Sequence, residues 1–211
     1  MKTFPSDEQA FLLPGPAGDL EVLTTVPKAP SQKVVLICHP HPLYQGTMHN
    51  KVVYTIARAF NELGYKTARF NYRGVGESQG VYDEGLGETE DALAIADWVK
   101  TVCPDHEISI AGFSFGTYVA AGVANQLIVK ELLTVAPSVE HFDFMPFEHI
   151  HCPWLVVQGE EDEVVSTQAV YDFCEQNKHR LELVKVPNCN HFFDRRLVDL
   201  RKIIVGYFSH G

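Results

Sequence analysis

With 45% hydrophobic and 21% charged side chains, 15 Gly and 12 Pro, the 211 residues can bury one sizeable core and are too balanced for a fibrous or disordered chain. Acidic residues outnumber basic ones 27 to 17, a net charge of −10 with histidine neutral, and no Lys/Arg-rich patch is present to neutralise phosphates, so nucleic acid is not an expected partner. No apolar stretch approaches the roughly 18 residues that span a bilayer, and residues 1–8 lack the apolar stretch of a signal peptide. The expectation is one soluble, cytoplasmic domain over residues 1–211 with no membrane association.

Short β-rich runs alternate with longer stretches of helical period, the pattern of βα units in a mostly parallel sheet with helices on both faces. Phe11-Leu12-Leu13 and the run from Leu20 to Thr25 flank a turn over residues 14–19, which predicts an antiparallel hairpin at a sheet edge. Val34-Val35-Leu36-Ile37-Cys38 is continuously apolar, as expected of a strand buried on both faces. Val53, Ile56, Phe60 and Leu63 then recur at helical spacing before Gly64, and residues 66–71 resume the sheet. Thr89 is the expected N-cap of a second helix, with Glu90 and Asp91 in its first turn. Residues 107–111, 132–136, 154–158 and 181–186 complete a sheet of about eight strands. A helix capped near Ser166 separates the last two, and a final helix carries Leu197, Leu200, Ile204 and Phe208.

Gly112-Phe113-Ser114-Phe115-Gly116 lies directly between a predicted strand and a predicted helix, the context that makes a GxSxG pattern specific. A sharp strand-to-helix turn needs small residues two before and two after the serine, and it exposes the hydroxyl beside a helix N-terminus that favours a developing anion. The plainer alternative is a serine that only caps the helix. A serine hydroxyl is a weak nucleophile, so catalysis requires a base and a group to orient it. Residues 154–162 run from a strand into an acidic loop, and Val186-Pro187-Asn188-Cys189-Asn190-His191 ends the next strand in a turn carrying a histidine. The resulting order is Ser114, acid, His191.

His39-Pro40-His41-Pro42, Asn71-Tyr72-Arg73-Gly74-Val75-Gly76-Glu77-Ser78, the GxSxG segment, Gly159-Glu160-Glu161-Asp162 and Asn190-His191-Phe192-Phe193 resemble the small, lidless bacterial α/β-hydrolase family. These are predicted serine esterases related to dienelactone-hydrolase-like proteins, and the similarity spans nearly the whole chain. Spacing alone leaves Glu160, Glu161 and Glu163 competing with Asp162 for the orienting role; resemblance to the family's GxxD pattern picks Asp162.

For the oxyanion, one donor is normally the N–H after the nucleophile, here Phe115, and the other comes from the loop following the third strand. Pro40 and Pro42 have no N–H, so His41 leads, with Leu43 second. Leu43, Tyr44, Phe142, Phe144 and Met145 are candidate pocket residues, the last three from a connection too short for a cap domain. A rival reading has His39, His41 and His49 ligating zinc, although no HExxH pattern is present. Gly74, Gly76 and Gly80 are spaced GxGxxxG, which does not fit a dinucleotide site, and Arg73 beside them is expected to be structural. The expected activity is carboxylesterase-like hydrolysis of a small-molecule acyl substrate through an acyl-enzyme, with no cofactor and no metal. Thioesterase or peptidase activity would use the same groups, and a non-enzymatic binding protein could keep the same fold.

Overall fold

Along the strand Lys33–Cys38 (β3), Val34, Leu36 and Cys38 enter one apolar layer while Val35 and Ile37 enter the other. The same two-residue alternation splits Ile108 and Ile110 from Ala111 and Phe113 along Glu107–Phe113 (β5), as the pleat requires. The computed structural model describes residues 3–6, 9–144, 147 and 149–209. The remaining strands among these are Ala10–Gly15 (β1), Gly18–Thr25 (β2), Lys66–Phe70 (β4), Leu132–Val135 (β6), Trp154–Gly159 (β7) and Leu181–Val186 (β8). They join β3 and β5 in one eight-stranded sheet of order β1-β2-β4-β3-β5-β6-β7-β8. Only the pairings of β2, with β1 and with β4, are antiparallel.

Helices Lys51–Glu62 (α1) and Leu197–Phe208 (α5) cover one face, burying Val53, Ile56, Phe60, Leu200, Ile204 and Phe208. Leu86–Val102 (α2), Phe115–Gln126 (α3) and Thr167–Gln176 (α4) cover the other, through residues such as Ile95, Val99, Val119, Val123 and Val170. No helix among the described residues is long and apolar enough to cross a membrane. From β3 the chain steps outward to β4, then returns across the sheet to β5. The loops leaving β3 and β5 therefore diverge at their C-terminal ends and open a crevice there, where ligands of open α/β sheets bind.

Two expectations about element ends are corrected. The hairpin turn is only Pro16 and Ala17, because pairing continues through Pro14 with Asp19 and Gly15 with Gly18. Gly85, not Thr89, is the N-cap of α2: at φ 93° Gly85 takes a left-handed conformation that a glycine adopts readily. The Glu88 carboxylate receives the N–H groups of Asp83 (2.9 Å) and Gly85 (2.8 Å), so the helix begins one turn earlier. Thr89 instead lies inside the first turn and donates its hydroxyl to the Gly85 carbonyl at 2.7 Å. Arg73 is structural as expected, and its partners are carboxylates. Its Nη2 and Nε grip the fully buried Asp91 side chain at 2.8 and 3.1 Å, clamping the loop after β4 to α2.

His39, the first residue after β3, is wholly buried. Its Nδ1 donates to the Pro40 carbonyl (2.7 Å) and its Nε2 accepts the Tyr72 N–H (3.2 Å). Burial, only partly opposed by the Pro40 hydrogen bond, lowers its pKa to about 3. In the unfolded chain the same ring takes up a proton below about pH 6.5. Between these limits the unfolded state binds one more proton, so stability falls as pH falls, by up to about 1.4 kcal/mol per pH unit. Urea unfolding of the wild type between pH 6.5 and 4.5 is expected to show this loss. His39→Gln, which keeps an acceptor for the Tyr72 N–H, should show a shallower dependence; parallel curves would refute the assignment.

Candidate active site

Ser114 joins β5 to α3 at φ 55° and ψ −123°, a strained conformation for a non-glycine residue. Two close approaches enforce it. A methyl group on Gly112 would collide with the Gly116 carbonyl, and one on Gly116 would collide with the carbonyls of Cys38 and His39. Pairing of Cys38 with Gly112 brings the end of β3 level with the turn, so the first turn of α3 rests directly on the loop that follows β3.

The Ser114 Oγ lies 3.0 Å from His191 Nε2, and His191 Nδ1 lies 2.8 Å from Asp162 Oδ2. The histidine and aspartate side chains are 2% and 0% exposed, so this chain of hydrogen bonds runs almost entirely out of solvent. Asp162 Oδ1 receives the N–H groups of Val164 and Val165, each at 2.9 Å. Burial alone would raise the Asp162 pKa, but the hydrogen bond and charge of His191, with those two N–H groups, outweigh it and hold the carboxyl below the usual aspartate range. Of the rival glutamates, Glu160 and Glu161 are exposed, and Glu163 accepts the His191 main-chain N–H at 3.2 Å, fixing the histidine turn rather than its ring.

A cleft of about 380 Å³ opens over Ser114, with His41, Phe115 and His191 in its wall. Phe115 is the first residue of α3, so its N–H has no intrahelical acceptor one turn back. The Leu43 N–H is committed to His41 Nδ1 at 3.2 Å, which leaves His41 Nε2 to donate to the Tyr82 hydroxyl, also at 3.2 Å. Burial and the neighbouring His141 hold the His41 imidazole below the usual histidine range.

The pocket candidates divide. Tyr44 and Phe142 line the cleft. Leu43 does not: it is 66% exposed outside the wall because the short 3₁₀ turn Pro42–Tyr44 points it to solvent. Phe144 does not either; it is 3% exposed in the core among Tyr118, Phe147 and Phe173. Met145 lies outside the described residues. Sequence reasoning missed Gln45, Asn50, Ser138, His141, Val164 and Phe192 as cleft residues. Their polar or exposed character at loop positions carries no period that would single them out. Of the histidines in the zinc reading, both ring nitrogens of His39 and of His41 are engaged within the chain and His49 is exposed, and no cluster of three or more His, Cys, Asp or Glu suited to a metal ion occurs among the described residues. All five cysteines are free thiols; burial pushes Cys38, near the cleft, up to about 12 and Cys189 up to about 11.

The chain superposes on an α/β serine hydrolase homologue from Coxiella burnetii with a TM-score of 0.94 and 45% identity, covering 98% of this chain and 100% of that one. It matches an α/β serine hydrolase without lid from Xanthomonas campestris with a TM-score of 0.92 and 41% identity, over 96% and 94% of the two chains. The chain belongs to the lidless α/β serine hydrolases. The family model of X-Pro dipeptidyl-peptidase (S15 family), an α/β-hydrolase family, matches residues 18–146 of this hydrolase. The lysophosphatidylserine lipase ABHD12 of Macaca fascicularis is 29% identical over 179 residues, covering 66% of this chain and 44% of the lipase, so the hydrolase aligns with less than half of that longer protein.

The tight contact at the elbow gives a direct test. Gly116→Ala is expected to lose about 3 kcal/mol or more, read by urea unfolding, because backbone carbonyls rather than a flexible side chain must move. A variant as stable as wild type would show that the contact between α3 and the β3 loop is looser than described.

Proposed function

We propose that this hydrolase cleaves carboxylic esters through an acyl-enzyme on Ser114, with His191 as the base and Asp162 as its orienting acid. The observation that carries the proposal is the continuous chain of hydrogen bonds from Ser114 Oγ through His191 to Asp162. As Oγ attacks the ester carbonyl, its proton passes to His191 Nε2, and ionised Asp162 stabilises the imidazolium at Nδ1. The carbonyl oxygen becomes an anion received by the main-chain N–H groups of Phe115 and His41. When the intermediate collapses, the C–O bond to the leaving group breaks and His191 returns its proton to the departing alkoxide. Water then gives a proton to His191 as it attacks the acyl carbon; the bond from that carbon to Ser114 Oγ breaks, His191 returns the proton to Oγ, and the acid product leaves. The cycle uses only groups of the chain. A serine held at strained backbone angles and hydrogen-bonded to a buried histidine–aspartate pair supports catalysis over simple binding.

The described cleft wall is aromatic and formally neutral, built on Tyr44, Phe115, Phe142 and Phe192 with Gln45, Asn50 and the histidines, and it includes no Asp, Glu, Lys or Arg. The N-terminal ammonium of an X-Pro peptide requires a carboxylate partner, and the phosphodiester of lysophosphatidylserine a cationic one. This wall favours an uncharged ester over either. The five free thiols fit a reducing compartment, and we place the enzyme in the cytoplasm.

A fluorophosphonate probe should label Ser114 alone. Ser114→Ala should stay folded and lose both labelling and turnover, and Asp162→Asn should lower kcat by about 10³-fold or more. Glu160→Gln, Glu161→Gln and Glu163→Gln should each stay within a few-fold of wild type. Labelling that persists in Ser114→Ala would overturn the nucleophile, and a near-normal Asp162→Asn would overturn the acid. In an ester panel of matched size, a carboxylate or ammonium on the substrate should reduce kcat/KM about tenfold or more. Faster turnover of a charged ester would reverse the preference read from the wall.

A further inference from the structure

We infer that Gln158, the penultimate residue of β7, is a positioning residue that fixes the Asp162 carboxylate and tempers its pull on His191; this rests on the assignment of Ser114, His191 and Asp162 above. Gln158 is wholly buried. Its Nε2 donates to Asp162 Oδ2 at 2.9 Å and to the Gly159 carbonyl at 3.0 Å. Asp162 Oδ2 is the same oxygen that receives His191 Nδ1, whereas Oδ1 is occupied by the N–H groups of Val164 and Val165. The base and Gln158 therefore share one carboxylate oxygen.

The amide can sit only this way round. Reversed, its oxygen would face a carboxylate and a carbonyl, acceptors that offer it no hydrogen. In the orientation present, Gln158 Oε1 has no hydrogen-bond partner among the described residues, an arrangement that disfavours folding. A methionine would fill much the same space without an unpaired buried oxygen. What the glutamine alone supplies is a pair of N–H donors, one aimed at the acid and one at the strand end that carries it.

A neutral donor on Oδ2 stabilises the ionised carboxylate and draws part of its charge away from the imidazole. The hydrogen bond between the imidazole and Oδ2 is then weaker than it would be to an unshared oxygen. The second hydrogen bond, to Gly159, ties the amide to the start of the loop that ends in Asp162. The other titratable groups around the pair are Glu163, bonded to the His191 main chain, the buried Cys189 thiol, and His41 and His141 in the cleft wall. None is altered by a change at position 158, so their contributions cancel between variants.

The test is the pH profile of kcat/KM for an uncharged ester, measured on wild type, Gln158→Met and Gln158→Asn; the last keeps an amide but lacks the reach to Asp162. Both variants should stay folded, with the acid limb moved to higher pH by about half a unit or more. kcat should fall about three- to tenfold while KM stays within about twofold. An unmoved acid limb in folded variants overturns the proposal. So does failure of both variants to fold, which would make Gln158 purely structural. If one variant fails to fold, the other decides. Asp162→Asn measured alongside separates the two levels: if it is crippled while the Gln158 variants keep the wild-type limb, only the role of Gln158 falls, whereas a near-normal Asp162→Asn removes the triad reading itself.

Discussion

The helix that follows Ser114 is seated on the chain leaving β3, and most of the site depends on that seat. Gly116 lies against the carbonyls of Cys38 and His39, a distance that no side chain tolerates. One contact thus sets several features together. It sharpens the turn that puts Ser114 at positive φ, it sets the N-terminus of α3 beside the loop carrying His41, and it fixes the opening between β3 and β5. Buried His39 braces the other side of the same loop through Tyr72, whose hydroxyl in turn donates to the His39 carbonyl at 3.2 Å. The elbow and the loop that follows β3 are therefore not independent parts; a shift in one displaces the other.

Asp162 and His191 arrive from the far side of the sheet's midpoint, on the loops that follow β7 and β8, where a second device is added to close packing. Here too backbone packs closely on backbone, since a methyl group on Gly159 would collide with the Cys189 carbonyl, and further precision comes from saturating a buried carboxylate with donors. Asp162 receives two main-chain N–H groups, the imidazole and an amide, while Glu163 anchors the histidine turn from outside. A buried charge that is fully bonded is tolerable, and one that loses a partner is not. The carboxylate thus acts as the organiser of its own loop as well as the electrostatic partner of His191.

How much of this was legible in the sequence follows the range of the signals. The apolar runs of β3 and β7 and the helical spacing of Val53, Ile56 and Phe60 are local, and they placed the sheet and its helices correctly. The elbow was legible because both glycines flank the serine within five residues, even though Gly116 answers to carbonyls on the loop after β3. The start of α2 was not, since Thr89 has the chemistry of a cap while the decisive groups are Gly85 and the Glu88 carboxylate. Phe142 and Phe144 are chemically alike and two residues apart, yet one faces the cleft and the other the core; only tertiary packing separates them. Gln158 gave no sign at all, because an amide within an apolar strand reads as an interruption until the carboxylate four residues on is seen to fold back onto it.

Without a lid, the cleft is open to bulk solvent, and the rim residue Tyr44 is 82% exposed. Such a site cannot strip water from its intermediate in the way that closing active sites do. Under the proposed mechanism, an acyl group on Ser114 would meet water far more often than any second alcohol and would be released as a free acid rather than exchanged between esters. It also leaves the portion of the substrate beyond the aromatic wall unconstrained, so a long leaving group can trail into solvent at no steric penalty. Discrimination must then be made close to the reacting carbon, by the few rings and loop residues that touch it.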